Sequence, residues 1–235
     1  DVLPQGKTYA DYAVSGYQQL CFAAALAFLI LLVVYHLTRM EDLWVRRASQ
    51  VIAITSIIST LSAAKRLWLY VDAYGLTLSR SWGMQFLVLV ILLFVLLIVS
   101  VVRRWNTHQL TSAGSALVLG LLSLALLVNQ EALVASYNLK RHAEQKGPPL
   151  DWSYLLYGLS SDAVPTIASV VTRPDWTEIN TQPIAGMGNN WQIRREIYSW
   201  WRTKYAPARD ARDPRELSLS DLRAKRIVES LPEAK

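Results

Sequence analysis

The sequence predicts an all-α integral membrane protein: four transmembrane helices followed by a mostly helical, partly irregular extramembrane C-terminal tail. Three observations carry this prediction. Hydrophobic residues make up 52% of the 235-residue chain and charged residues only 18%, below the roughly one quarter usual in a soluble domain. The deficit is local, because apolar residues concentrate in the first 140 positions and charges dominate the remainder. The apolar residues also fall in four blocks of a length suited to crossing a bilayer.

Residues 1–16 read as an extramembrane linker. They hold no initiator Met and no basic stretch ahead of an apolar one, so they are not a signal peptide. TYADYAVSGY is expected to lead from a further helix upstream of Asp1 into the first span. That span covers 17–37, with the core CFAAALAFLILLVV. The second covers 48–71 and is softened by Thr55, Ser56, Ser59, Thr60 and Ser62, residues that suit helix–helix contact within a bilayer. The third, 84–103, contains FLVLVILLFVLLIVSVV and is expected to face lipid. The fourth, 112–136, contains SALVLGLLSLALLV and runs on into polar residues. Together they form a four-helix transmembrane domain over 17–140, followed by an extramembrane region over 141–235.

Short loops orient such a bundle. Arg39, Arg46 and Arg47 follow the first span, and Arg103 and Arg104 follow the third. Both loops lie on one side, and cationic loops are retained in the cytoplasm. The 65–83 segment and the C-terminal region are then extracytoplasmic. Lys65, Arg66 and Arg80 count against this orientation, since they add cations to the outer side.

In the tail, GPP at 147–149 breaks the chain. LDWSYLLYGLSSDAVPTIASVV reads as an amphipathic helix interrupted at Pro165, 173–190 as loop, and REIYSWWRTKYA as a helix. Ser218 and Asp221 form a capping-box pattern opening a solvated terminal helix. In the tryptophan-bearing helix, Ile193, Ile197, Trp200 and Trp201 fall near one face with cations around the rest. Trp200 and Trp201 are therefore candidate docking anchors, expected to be buried against protein while 213–235 stays comparatively exposed. A helix lying in the membrane interface is the alternative.

The formal charge of +6 reflects cations at span ends and in the tail. No zinc-binding or RNA-binding pattern accompanies them, so the expected partners are the lipid bilayer and other membrane protein chains, with no nucleic acid. Cys21 is the single cysteine, which rules out an internal disulfide and reads as a small buried hydrophobe. HxxxH, HExxH, CxxC and Gly-rich phosphate loops do not occur. No metal, no cofactor and no catalytic residue is assigned. Ser160 and Asp162 with His142 compose a triad only on paper, and a Ser–Asp pair opening a helix is far more often a cap.

The segment KRLWLYVDAYGLTLSR, 65–80, is the most loaded stretch. Lys65 and Arg66 snorkel to headgroups, Trp68 and Tyr70 suit an interfacial belt, and Gly75 ends the helix through a positive φ. Asp72 is placed to pair with Arg66 or Arg80. Glu131, Asn138 and Arg141, beyond the fourth span, are placed to face this segment.

Three stretches carry a family resemblance: LYVDAYGLT after the second span, NQEALVASYN after the fourth, and YLLYGLSSDAVP beyond it. Preceded by TYADYAVSGYQQL, they resemble the bacterial multi-pass membrane proteins grouped as domain of unknown function 4173, or the related group 4153, over roughly residues 7–170. Gln130 stands where that pattern expects Pro, which questions a kink there. The resemblance implies a bacterial inner-membrane location and further helices upstream, and it supplies no catalytic residues. It places Arg66, Asp72, Tyr74, Arg80, Asn129, Glu131, Asn138, Tyr154 and Asp162 in one extracytoplasmic polar cap. The function expected is that of a non-enzymatic subunit, scaffold or sensor of a membrane complex. The alternative is a membrane enzyme or transporter for a lipid or small solute, with Asp72 or Glu131 as acid/base or coupling group.

Overall fold

The computed structural model describes residues 9–38, 42–144, 150–173, 190–205 and 218–231. All regular structure among the described residues is helical. The 147–149 break, the 174–189 loop, Arg39 and the side chain of Ile193 lie outside them. The chain divides into two compact units, Asp1–Ala73 with Ser79–Val128, and Tyr74–Leu78 with Asn129–Lys235.

Unit 1 is built from α1 (Tyr9–Thr38), α2 (Leu43–Tyr74), α3 (Leu78–Arg103) and α4 (Thr107–Leu127). Each holds a segment long and apolar enough to cross a membrane, so this is a multi-pass membrane protein. At 1.5 Å per residue, α2 is about 48 Å long and α3 about 39 Å, both longer than the ~30 Å of bilayer hydrocarbon. The expected spans 48–71 and 84–103 therefore lie within longer helices, 43–74 and 78–103. Nothing in KRLWLYVDAY breaks a helix, and α2 continues to Gly75. Trp44 and Trp68 on α2 are both exposed. They sit roughly 36 Å apart along the axis, the spacing of two interfacial belts.

The core of unit 1 is centred on α3. Val90, Phe94, Leu97 and Val101 are buried there with Ala24, Leu31 and Tyr35 of α1, Ala53 of α2 and Leu110 of α4. Phe28 meets Phe94 edge to face, with centroids 5.5 Å apart. A second cluster joins Ala63 and Leu67 of α2 to Leu87 of α3. The expectation that the third span faces lipid is corrected: one face of α3 is the best-packed surface in the unit. A helix apolar all round looks the same in sequence whether lipid or protein covers it. On α2 the small residues Ser49, Ala53, Thr60 and Ala63 are buried, as close helix packing in a bilayer requires. The least buried of the four helices is α4, in which Leu110 is the buried residue and Leu126 and Leu127 are more than 80% exposed.

The α3–α4 turn is closed by backbone chemistry. Arg104 takes φ 52°, and the Trp105 N–H reaches the Ser100 carbonyl at 3.0 Å, the Schellman pattern more often built on glycine. Tyr35 Oη donates to the Trp105 carbonyl at 2.6 Å. Asn106 and Gln109 then form a reciprocal capping box that starts α4.

The expected fourth helix, 112–136, is two helices. α4 ends at Leu127, Val128 and Asn129 are extended, and α5 (Gln130–Ala143) begins anew. Asn129 Oδ1 accepts from the Ala132 N–H at 2.8 Å. A side chain that satisfies a helix-start amide favours a new N-terminus over continuation. The break thus occurs with Gln130 in place of proline.

Unit 2 continues with α6 (Trp152–Tyr157), a 3₁₀ turn (Ser161–Ala163), α7 (Val164–Val171), α8 (Asn190–Tyr205) and α9 (Leu219–Ser230). Pro165 sits in the first turn of α7, where its missing N–H costs nothing. The interruption expected at Pro165 lies instead at Gly158–Ser160. Val134, Ala135, Trp152, Leu155, Ile167, Val171, Ile197, Trp201 and Val228 are each at most 2% exposed and make up its core. The terminal helix, expected to be solvated, is corrected too. Ala224 and Val228 of α9 and the following Leu231 are buried, and α9 packs on α8, α7 and the 3₁₀ turn. A three-residue stripe at i, i+4 and i+7 is easily overlooked among charges, yet it covers the apolar face of α8. Its start is the capping box read from Ser218 and Asp221.

Phe94→Ala is expected to destabilise the protein by about 2–3 kcal/mol. This is less than the loss in a soluble core, because in a bilayer the cavity contributes but transfer from water does not. Leu122→Ala, on the exposed surface of α4, is the control. Thermal unfolding in detergent should show a lowered Tm for the first and little change for the second.

Candidate functional site

The three motif stretches meet in unit 2 through side chains bonded to backbone. The first is the turn after α2. Gly75 has φ +81°, and a Cβ built there would stand 2.8 Å from Asn138 Oδ1. Conformation and space both demand glycine. The carboxamide of Asn138, on α5, grips the next residue on both sides. Its Oδ1 accepts from the Leu76 N–H at 2.9 Å, and its Nδ2 donates to the Leu76 carbonyl at 2.7 Å. Tyr154 Oη, on α6, accepts from the Leu78 N–H at 2.9 Å. The side chain of Leu76 is itself buried.

The opposite end of α5 makes a matching set. Glu131 lies seven residues before Asn138, two turns along the same face, and its carboxylate accepts from the Ser160 N–H. Asn129 Nδ2 donates to the Asp162 carbonyl at 3.2 Å. Ser160 Oγ accepts from the Asp162 N–H at 3.3 Å, so this Ser–Asp pair is a cap that starts the 3₁₀ turn. α5 is thus tied at its N-terminal end to 160–162 and towards its C-terminal end to 76.

Of the nine residues expected in a polar cap, Tyr74, Asn129, Glu131, Asn138, Tyr154 and Asp162 fall in unit 2, and Arg66, Asp72 and Arg80 in unit 1. Arg66 and Asp72 are exposed on α2. The Arg80 guanidinium lies 4.2 Å from the centroid of the Tyr70 ring, a cation–π contact that the sequence did not suggest. Tyr74 is 55% exposed.

Trp201 is buried with Ile197, Tyr198 and Tyr205. Trp200 is half-buried, edge-on to the exposed Tyr157 with centroids 4.7 Å apart. Lys204 Nζ stands 5.8 Å from the Trp200 ring and 5.4 Å from Tyr205. The buried stripe of α8 therefore runs 197, 201, 205 and is not centred on the Trp200–Trp201 pair.

Tyr205 was missed as a member of the polar cluster, although its spacing from Ile197 and Trp201 marks the buried face. Burial, with the Asp221 and Glu131 carboxylates nearby, pushes its phenol up to about 12. No group of three His, Cys, Asp or Glu side chains suited to a metal ion occurs among the described residues.

Four apolar spans and a helical unit knotted by side-chain-to-backbone bonds define an α-helical multi-pass membrane protein. The chain belongs to the family described as Domain of unknown function (DUF4153), whose model matches residues 1–170. This is the second of the two groups that its motifs resemble. Comparison with curated proteins and with solved structures returned no match. The matched region includes all three motif stretches, whereas α8 and α9, which complete the unit 2 core, lie beyond it.

Two outcomes follow. Gly75→Ala is expected to cost about 2 kcal/mol or more, from the positive φ and the displaced Asn138; thermal unfolding of the purified variant measures it. Tyr205 binds its proton more tightly folded than unfolded. The stability it contributes is therefore fully present below about pH 10 and lost as pH rises towards about 12. Tyr205→Phe should flatten that part of the stability–pH curve.

Proposed function

We propose that the protein is a non-enzymatic subunit, scaffold or sensor of a membrane complex in the bacterial inner membrane, with unit 2 on the extracytoplasmic side meeting a partner or ligand. The observation that carries this reading is how the motif side chains are used. Asn129, Glu131, Asn138 and Tyr154 each bond a backbone group of a neighbouring element. A catalytic acid or base needs its proton-transfer atoms directed at a reacting group; here these atoms hold chain segments in place. Trp200 and Tyr157, half-buried and exposed beside the Lys204 ammonium, supply the residue types enriched in protein interfaces. Arg46, Arg47, Arg103 and Arg104 favour the proposed orientation.

A neighbouring chain within the bilayer is also supported. An open groove of about 330 Å³ between α1 and α2 is lined by Ala23, Ala27, Ser56 and Ser59 among others, the small residues that let membrane helices approach closely.

Affinity purification of the tagged full chain in mild detergent should recover other membrane proteins at a fixed ratio. Trp200→Ala with Tyr157→Ala should reduce that recovery without lowering the amount of folded protein. A single monomeric species on gel filtration would overturn the reading.

A further inference from the structure

The grip of α5 on the α2–α3 turn has a consequence for how the membrane helices are controlled. Leu76 lies two residues beyond the end of α2 and two before the start of α3. Both its backbone groups are held by one side-chain amide. A single rotation of the Asn138 carboxamide breaks both bonds together, so the grip is close to all-or-none. The glycine requirement at 75 places the turn against that amide. At the other end of the same helix, Glu131 and Asn129 hold Ser160 and Asp162, and the 3₁₀ turn they belong to packs against α9 and α7. An unbroken chain of contacts within unit 2 therefore runs from α9 through the 3₁₀ turn and α5 to the turn that ends α2 and begins α3.

We propose that Asn138 makes the 75–78 turn a mechanical joint, through which the packing state of unit 2 sets the stability of the adjoining ends of α2 and α3. Tyr154 is the secondary hold, acting on Leu78 alone. The joint deepens the sensor reading above by naming the element through which unit 2 acts on the membrane helices. It is testable without a partner, so it can fail while that reading stands, or stand while that reading fails.

The test is a double-mutant cycle read by hydrogen–deuterium exchange on the full chain in lipid nanodiscs. Val228→Ala loosens α9 within unit 2, where Val228 is 2% exposed. In the wild-type background it should speed exchange of amides 71–74 and 79–82 roughly five- to tenfold. In an Asn138→Ala background these amides are already fast, and Val228→Ala should add nothing. Tyr154→Phe should free the Leu78 amide while leaving the response to Val228→Ala in place. If Asn138→Ala does not accumulate, Asn138→Asp serves, since it keeps the acceptor for the Leu76 N–H and loses the donor to its carbonyl. Two results would overturn the joint: no response of 71–74 and 79–82 to Val228→Ala in wild type, or an equal response in both backgrounds.

Discussion

The double hydrogen bond between the Asn138 carboxamide and the Leu76 backbone is the constraint on which unit 2 depends. A chain that reverses between two long helices leaves backbone groups without helical partners, and such groups must be satisfied once they are buried. Asn138 satisfies a donor and an acceptor at once, as an adjoining strand would. Its position then limits what else can be true. Residue 75, at φ +81° and against the Asn138 amide, favours glycine, and Glu131, two turns earlier on α5, meets Ser160. The α5 helix acts as a ruler, with one polar hold near each end and the apolar residues Val134, Ala135 and Leu139 buried between them.

The two units are built differently. In unit 1 the burial of apolar side chains is a poor guide to stability, because an apolar surface such as that of Leu126 and Leu127 loses little in a bilayer. What distinguishes the core there is close packing around Phe94 and the small residues of α2 that let backbones approach. In unit 2 large apolar side chains gather at the centre. Trp152, Ile167 and Trp201 are each at most 2% exposed. The α9 helix is needed for this reason: without it, the Ile197–Trp201–Tyr205 stripe of α8 would lose much of its cover. That helix and α8 lie outside the region matched by the family, yet they close the core around the 3₁₀ turn that lies within it.

The arrangement of side chains bears on how such a protein works. Polar groups that tie one backbone segment to another give position rather than reactivity. The strongest concentration of them is at 76–78, 129–138 and 154–162, with the pH-resistant phenol of Tyr205 beside the same cluster. A scaffold requires elements that cannot drift. A sensor requires elements whose release is cooperative, and a side chain holding two bonds at once meets that need.

The sequence by itself determined the helical class, the four spans, the polar tail, the Ser218 capping box and the glycine that ends α2. These follow from local chemistry: apolar length, capping residues and the φ that only glycine adopts freely. It offered Glu131, Asn138 and Arg141 together as facing the 65–80 segment, without separating Asn138, which bonds Leu76, from Glu131, which bonds Ser160. Tertiary structure alone decided which apolar helix is packed within the chain and which is left on its surface, since α3 and α4 present the same chemistry to protein and to lipid. It showed that the fourth span stops at Leu127, where Asn129 caps a new helix through Oδ1 and reaches the Asp162 carbonyl through Nδ2. It brought Arg80 onto the Tyr70 ring and buried Tyr205 within the electrostatic reach of Asp221 and Glu131, pairings between residues whose spacing carries no periodic signal. And it turned a terminal helix that reads as solvated into the cover of a core, because Ala224 and Val228, with Leu231 just beyond the helix, are enough when a complementary stripe lies opposite them.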